Sequence, residues 1–81
     1  MATKPNQAII YRKVPELLRE MRQEAKLTQR QLAAKIRKPQ WWVARIEIGS
    51  RRIDVAEFIE FCFGCDIRPA DALEVLVRLR R

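Results

Sequence analysis

Pro39 is the residue that most narrows what this chain can fold into. Proline lacks a backbone N–H and its ring collides with the turn before it, so no helix runs through it unhindered, yet its fixed φ suits the opening of a new helix. Upstream, Thr28 and Gln31 have the spacing of a capping box, and Leu27 and Leu32 are placed to pack across it as a hydrophobic staple. The residues between are therefore confined to one short helix, Gln29 to Ile36. Arg37 and Lys38 lead into a turn, and a second short helix follows from Gln40 to Glu47 or Ile48, ended by Gly49.

The same punctuation organises the rest of the chain. Pro15 suits the first position of a helix, and Val14, Leu17, Leu18, Met21 and Ala25 follow the three-four spacing of one apolar stripe, which predicts a helix running to about Ala25. Asp54 and Glu57 repeat the capping box, with Ile53 and Phe58 as its staple. They open a fourth helix from Val55 to Gly64 or Cys65 that turns Phe58, Ile59 and Cys62 inward. Pro69 opens a fifth through Leu73, Leu76 and Val77; Asp71 in its first turn and Arg78, Arg80 and Arg81 near its end suit the helix dipole. Residues 1–13 read as an N-terminal arm: Lys4, Pro5, Asn6 and Gln7 are loop-like, Ile9, Ile10 and Tyr11 can pack back on the core, and Arg12 and Lys13 are basic.

These expectations add up to an all-α, compact five-helix domain over residues 14–81 behind the arm, without internal repeat or linker. A chain of 81 residues has interior for one apolar core and none for a second, catalytic domain. Its 48% hydrophobic and 33% charged residues allow both a core and solubility, and the positions outside the core hold mainly good helix formers.

Seventeen Lys and Arg against 10 Asp and Glu give a net charge of +7, which favours a polyanionic partner, nucleic acid or an anionic membrane. Met1 to Pro5 lack the apolar stretch of a secretory signal, and no segment approaches the ~20 apolar residues that span a bilayer, so a cytoplasmic, nucleoid-associated protein is expected. There is no histidine, and the cysteines are Cys62 and Cys65. Zinc takes four ligands, so a metal site would need a second copy of the chain; no metal, cofactor or small-molecule ligand is expected. The C-x-x-C pair reads either as a redox dithiol or as two small apolar residues on the inner side of helix four.

Two short helices around a tight turn have the spacing of a helix-turn-helix, and the residues are more specific than the spacing. Leu27-Thr28-Gln29 with Leu32-Ala33, then Val43, Arg45-Ile46-Glu47, Gly49 and Arg51-Arg52, resemble the Cro and lambda-repressor (xenobiotic-response-element) family over about Leu17 to Leu73. Lys38-Pro39-Gln40, Val43, Glu47, Gly49, Arg51-Arg52-Ile53-Asp54-Val55 and Glu57-Phe58 are similar to one prokaryotic subgroup of small regulators. The resemblance implies a lambda-repressor-like fold with the helix-turn-helix at helices two and three. It also implies a sequence-specific transcriptional regulator, a repressor or autoregulator, bound to a palindromic operator in double-stranded DNA as a homodimer. Phage repressor, restriction-system controller and antitoxin are all open as contexts.

Residue by residue, the resemblance places Arg22 and Glu47 at an ion pair and Gln29 at a phosphate. A helix in the major groove reads bases with its N-terminal end and the turn after it, here Gln40, Trp41 and Arg45. Gln pairs with adenine and Arg with guanine, each good pair giving about 1–3 kcal/mol of discrimination. Arg30, Lys38, Arg51 and Arg52 flank the same face and can neutralise phosphates, although a solvated surface charge explains Arg30 and Arg52 equally well. One eight-residue helix reads too few bases to be specific alone, so dimerisation is expected, with Leu73, Leu76, Val77 and Leu79 supplying the contact unless the first three are core.

The chain also departs from the family. Lys26, Arg37 and Asp66 stand where members often carry glycine, and a left-handed backbone there would cost each residue about 1 kcal/mol. Trp41 replaces a usually small or polar side chain and can meet a thymine methyl, pack on a neighbour or obstruct docking. Trp42 lies beside the turn and Phe63 on an outer face of helix four. These three define the alternative: a protein-interaction module on a helix-turn-helix fold, antitoxin-like or partner-binding, with weak or no DNA reading. An enzyme is not expected, since the chain offers no phosphate loop, no metal-ligand set and no nucleophile with its base; a thiol oxidoreductase using Cys62 and Cys65 is the version the residues allow.

Overall fold

Thr28, Pro39 and Asp54 each stand immediately before a helix in the computed structural model, which describes residues 5–80. The five helices are α1 (Pro5–Glu24), α2 (Gln29–Lys35), α3 (Gln40–Glu47), α4 (Val55–Gly64) and α5 (Pro69–Arg80). Both capping boxes close as the sequence reads. The Gln31 backbone N–H donates to Thr28 Oγ1 at 3.1 Å and the Gln31 side chain accepts from the Thr28 N–H at 2.8 Å. At α4 the Glu57 N–H donates to Asp54 Oδ1 at 2.7 Å, and Glu57 Oε1 accepts from the Asp54 N–H at 3.0 Å. Each box satisfies two backbone donors that the first turn of a helix leaves unpaired.

The arm expected over residues 1–13 is corrected from Pro5 onward, where the chain already forms α1, and Pro15 lies inside that helix instead of opening it. The carbonyl left without its partner at Pro15 belongs to Tyr11, an exposed residue, so water can satisfy it. The ring of Pro15 fits over Gly49, whose φ of +79° ends α3; a Cβ there would stand 3.4 Å from Pro15 Cγ. Residues 1–4 of the expected arm and Arg81 of the basic end of α5 lie outside the described residues, as do the side chains of Asn6, Gln7, Ile9 and Arg80.

The centre of the core is Leu18, Leu32, Val43, Ile46, Phe61 and Cys62, all fully buried. α1 packs on α3 and α5, and α4 packs on α2 and α5, so the short helix pair is clamped from behind. On α4 the inward stripe is Phe58, Phe61, Cys62 and Cys65, the three-four spacing of a helical face. Ile59, expected inward, sits at the edge of that stripe and stays 38% exposed. Gly64 makes the α2–α4 contact possible: a Cβ on it would stand 2.6 Å from Leu32 Cδ1 and 2.7 Å from Ile36 Cγ2.

The backbone is left-handed at the three positions where the family often has glycine, with φ of 60° at Lys26, 57° at Arg37 and 58° at Asp66. Each terminates a helix, and the N–H groups around it return to carbonyls of the last turn, as Lys38 N–H does to Ala33 at 2.9 Å and Ile67 N–H to Cys62 at 2.9 Å. Among the described residues no helix is long and apolar enough to cross a membrane.

Candidate nucleic-acid interface

α3 has two faces. Trp42, Val43, Ile46 and Glu47 are buried, whereas Gln40, Trp41 and Arg45 are exposed, so the three side chains expected to read bases stand together on the open side. The helix is held from below by one carboxylate. Glu47 accepts from Arg22 Nε at 2.6 Å and from Arg22 Nη2 at 2.9 Å, the two-pronged geometry that a planar guanidinium favours. Arg22 Nη1 also donates to the Leu27 carbonyl at 2.8 Å, tying the end of α1 to the approach to α2. The hydrogen bond to Glu47 is the main reason the guanidinium's pKa lies above its ordinary value.

Glu47 has a second use that sequence reasoning missed. Gln29 Nε2 donates to Glu47 Oε1 at 3.1 Å, and Gln29 Oε1 accepts from Gln40 Nε2 at 3.3 Å. Arg22, Glu47, Gln29 and Gln40 thus form a polar chain from the buried ion pair to the first residue of α3. Gln29 was expected at a phosphate; in this structure its amide is engaged with Glu47 and Gln40, which aims the Gln40 side chain. The available signal was a glutamine at the first position of each helix of the motif.

The cations divide by partner. Lys38 Nζ and Arg51 Nη2 converge on Glu57 Oε2 at 3.9 and 3.3 Å, so the carboxylate that caps α4 also gathers two of the expected phosphate contacts beside the motif. Lys38 also lies over the Trp42 ring, 5.1 Å from its centroid. Arg52 lies over Tyr11 at 5.0 Å and Arg30 is exposed. Arg45 lies over the Trp41 ring at 5.0 Å. Exposed cations beside an exposed helix face supply the salt-sensitive, sequence-independent part of an interaction with phosphates.

The features that suggested other activities resolve differently. Trp42 is buried at 3% exposure, which removes it from the expected protein-contact set and leaves Trp41 and Phe63 exposed; its indole N–H has no hydrogen-bond partner among the described residues. Cys62 and Cys65 are free and buried, and loss of hydration pushes both thiols up to about 11. Reactive cysteines have lowered values that expose a thiolate near neutrality, so this pair is in the opposite condition. No group of three or more metal-binding side chains occurs among the described residues.

Of the expected dimer contacts, Leu76 is buried within the monomer, while Leu73, Val77 and Leu79 are exposed. Leu73 borders a groove of about 910 Å³ between α1, the segment after α3 and the starts of α4 and α5, whose walls include the exposed Ile48 and Val55.

A helix-turn-helix domain family model matches residues 16–76. An XRE-family like protein from Pseudomonas syringae pv. tomato str. DC3000 is 38% identical, with a TM-score of 0.84 over 89% of this chain and 88% of that one. A point mutant of the restriction-modification controller protein C.Esp1396I has a similar fold at 22% identity, with a TM-score of 0.81 over 88% of this chain and 95% of that one. The same controller as a tetramer in complex with its natural 35 base-pair operator matches at 22% identity and a TM-score of 0.78, over 88% of this chain and 93% of that one. No curated protein sequence matches the chain. With three-quarters of its length inside the family model and an XRE-family relative along nearly all of it, the chain belongs to the helix-turn-helix domain family, in its XRE-type, Cro/lambda-repressor-like branch.

Proposed function

We propose that this chain is a sequence-specific transcriptional regulator, a repressor or autoregulator, that binds double-stranded DNA as a homodimer and reads the major groove with α3. The observation that carries this reading is the aimed, exposed edge of that helix. Gln40 is anchored through Gln29 to the buried Glu47, and Trp41 and Arg45 stand open beside it. Preorganised donors lose less freedom on binding than floppy ones, so more of each base contact survives as affinity. Arg30, Lys38, Arg51 and Arg52 would take phosphates, setting register without reading sequence. The operator-bound state of the similarly folded controller protein supports the same use of the fold.

The chain acts by binding and not by catalysis; its two thiols are held protonated, and it works in the cytoplasm where its DNA lies. The dimer contact is assigned to Leu73, Val77 and Leu79, with Leu76 left to the monomer core. Two recognition helices related by a two-fold axis meet successive major grooves about one helical turn, ~34 Å, apart. A hydroxyl-radical footprint on DNA from upstream of the gene is expected to show two protected half-sites at that spacing. Uniform protection without half-sites would contradict this reading.

A further inference from the structure

Trp41 and Arg45 lie one helical turn apart on the exposed face of α3, with the guanidinium carbon 5.0 Å from the centroid of the indole and Trp41 itself 53% exposed. Lys38 and Arg51 are drawn to the carboxylate of Glu57, whereas no ion pair to Arg45 occurs among the described residues. A carboxylate would occupy the in-plane N–H edge of a guanidinium. An aromatic ring instead takes its charge over the ring face and leaves the in-plane donors free. Those donors are what guanine O6 and N7 accept in the major groove.

We propose that Trp41 and Arg45 form one reading unit for a guanine next to a pyrimidine that carries a C5 methyl group. Trp41 holds the Arg45 guanidinium at the height of the guanine and covers the methyl of the neighbouring pyrimidine with the rest of its ring. Successive bases stand ~3.4 Å apart along a DNA strand, and a guanidinium 5.0 Å from the centre of the indole is displaced enough from it to meet one base while the indole meets its neighbour. An indole is too large to enter the groove beside a base as a small polar side chain does, but it matches the one apolar group that a major-groove edge offers. Thymine and 5-methylcytosine both present that methyl, so the unit is sensitive to the group and not to the base that bears it.

This inference rests on the DNA-reading function proposed above, and the test separates the two. The whole chain selects from a pool of randomised duplex DNA, alongside Trp41→Ala, Trp41→Phe and Arg45→Ala; the selected duplex is then remade with thymine, uracil, cytosine or 5-methylcytosine at the pyrimidine. Trp41 is exposed and its variants are checked for unchanged thermal melting. Wild type is expected to enrich a guanine beside thymine and to lose about fourfold in affinity with uracil or cytosine, the loss of one buried methyl contact, while 5-methylcytosine restores binding. Trp41→Ala is expected to lose both the methyl sensitivity and most of the guanine preference, with Trp41→Phe between it and wild type. If wild type and Trp41→Ala enrich the same motif and uracil is tolerated by both, the unit is wrong while DNA reading stands. If wild type enriches no motif, both fail.

Discussion

The Arg22 guanidinium grips both oxygens of the Glu47 carboxylate, at 2.6 and 2.9 Å, and the oxygen at the longer distance also accepts from Gln29. One ion pair therefore serves two ends. It closes α1 onto the end of α3, and it fixes the glutamine that orients Gln40.

The two ends can be separated by mutation. Glu47 is 2% exposed and Arg22 12%, so removing one partner strands a buried charge. Arg22→Ala should cost about 3–5 kcal/mol, as breaking buried pairs generally does, measured by urea denaturation. Replacing the pair with Arg22→Met and Glu47→Leu should recover much of that stability, since apolar replacements of buried ion pairs are often neutral. The double variant should nevertheless discriminate poorly at the base proposed for Gln40, because Gln29 has lost its anchor.

The left-handed residues make a prediction of the opposite sign. A side chain at φ near +60° strains the backbone, and glycine relieves that strain at some cost in chain entropy. Arg37→Gly should therefore stabilise by up to about 1 kcal/mol, a rise of roughly 4–8 °C in melting temperature for a domain of this size. Lys26→Gly should behave alike. Arg37→Ala should give no such gain, because alanine keeps the Cβ that causes the strain.

Gly64 should tolerate nothing larger. Its missing Cβ is where Leu32 and Ile36 pack, with neighbours at 2.6 and 2.7 Å. Gly64→Ala should push α2 from α4 and destabilise by about 1–3 kcal/mol, the usual cost of overpacking. Thermal melting of the variant measures it.

The buried cysteines predict a dependence on alkaline pH. Burial raises both thiols from an ordinary 9.0 to about 11, so the folded state holds their protons more tightly than the unfolded chain does. A raised value contributes stability that is fully present below the unfolded value and is lost as pH climbs through the folded one. Between pH 9 and 11 the whole chain should lose stability more steeply than the Cys62→Ala, Cys65→Ala double variant. Equal slopes would contradict the assignment.

Much of this was legible because its causes are local. Capping boxes at Thr28 and Asp54 and the proline at position 39 act within one turn, so the openings of α2, α3 and α4 follow from neighbouring residues. The left-handed positions were legible through the resemblance, whose members often carry glycine there, and helix ends adopt that conformation here with Lys26, Arg37 and Asp66 in its place. The start of α1 was not. Pro15 is a good helix opener, but it is also tolerated inside a helix where Tyr11 is exposed to water and Gly49 makes room for the ring, and both conditions are tertiary. Gly64 reads as a helix end in sequence, while its role depends on Leu32 and Ile36, far away along the chain.

The site divides in the same manner. The exposure of Gln40, Trp41 and Arg45 was legible from the resemblance, which sets them at the N-terminal end of a groove-reading helix and one turn on, whereas the link from Gln29 to both Glu47 and Gln40 depends on the angle between two helices. Trp42 and Trp41 are adjacent in sequence and opposite in fate, one at 3% and the other at 53% exposure, because successive residues on a helix point about 100° apart.

Fluorescence anisotropy of the whole chain on duplex DNA from upstream of its gene and on a scrambled duplex, over a salt series and beside Arg45→Ala, tests whether α3 reads sequence. Tight binding that weakens steeply with salt is expected from phosphate neutralisation. The upstream duplex should be preferred, and Arg45→Ala should remove about 1–3 kcal/mol of that preference while leaving most of the salt dependence in place. Equal, weak binding to both duplexes, unchanged in Arg45→Ala, would contradict a reading role for this helix.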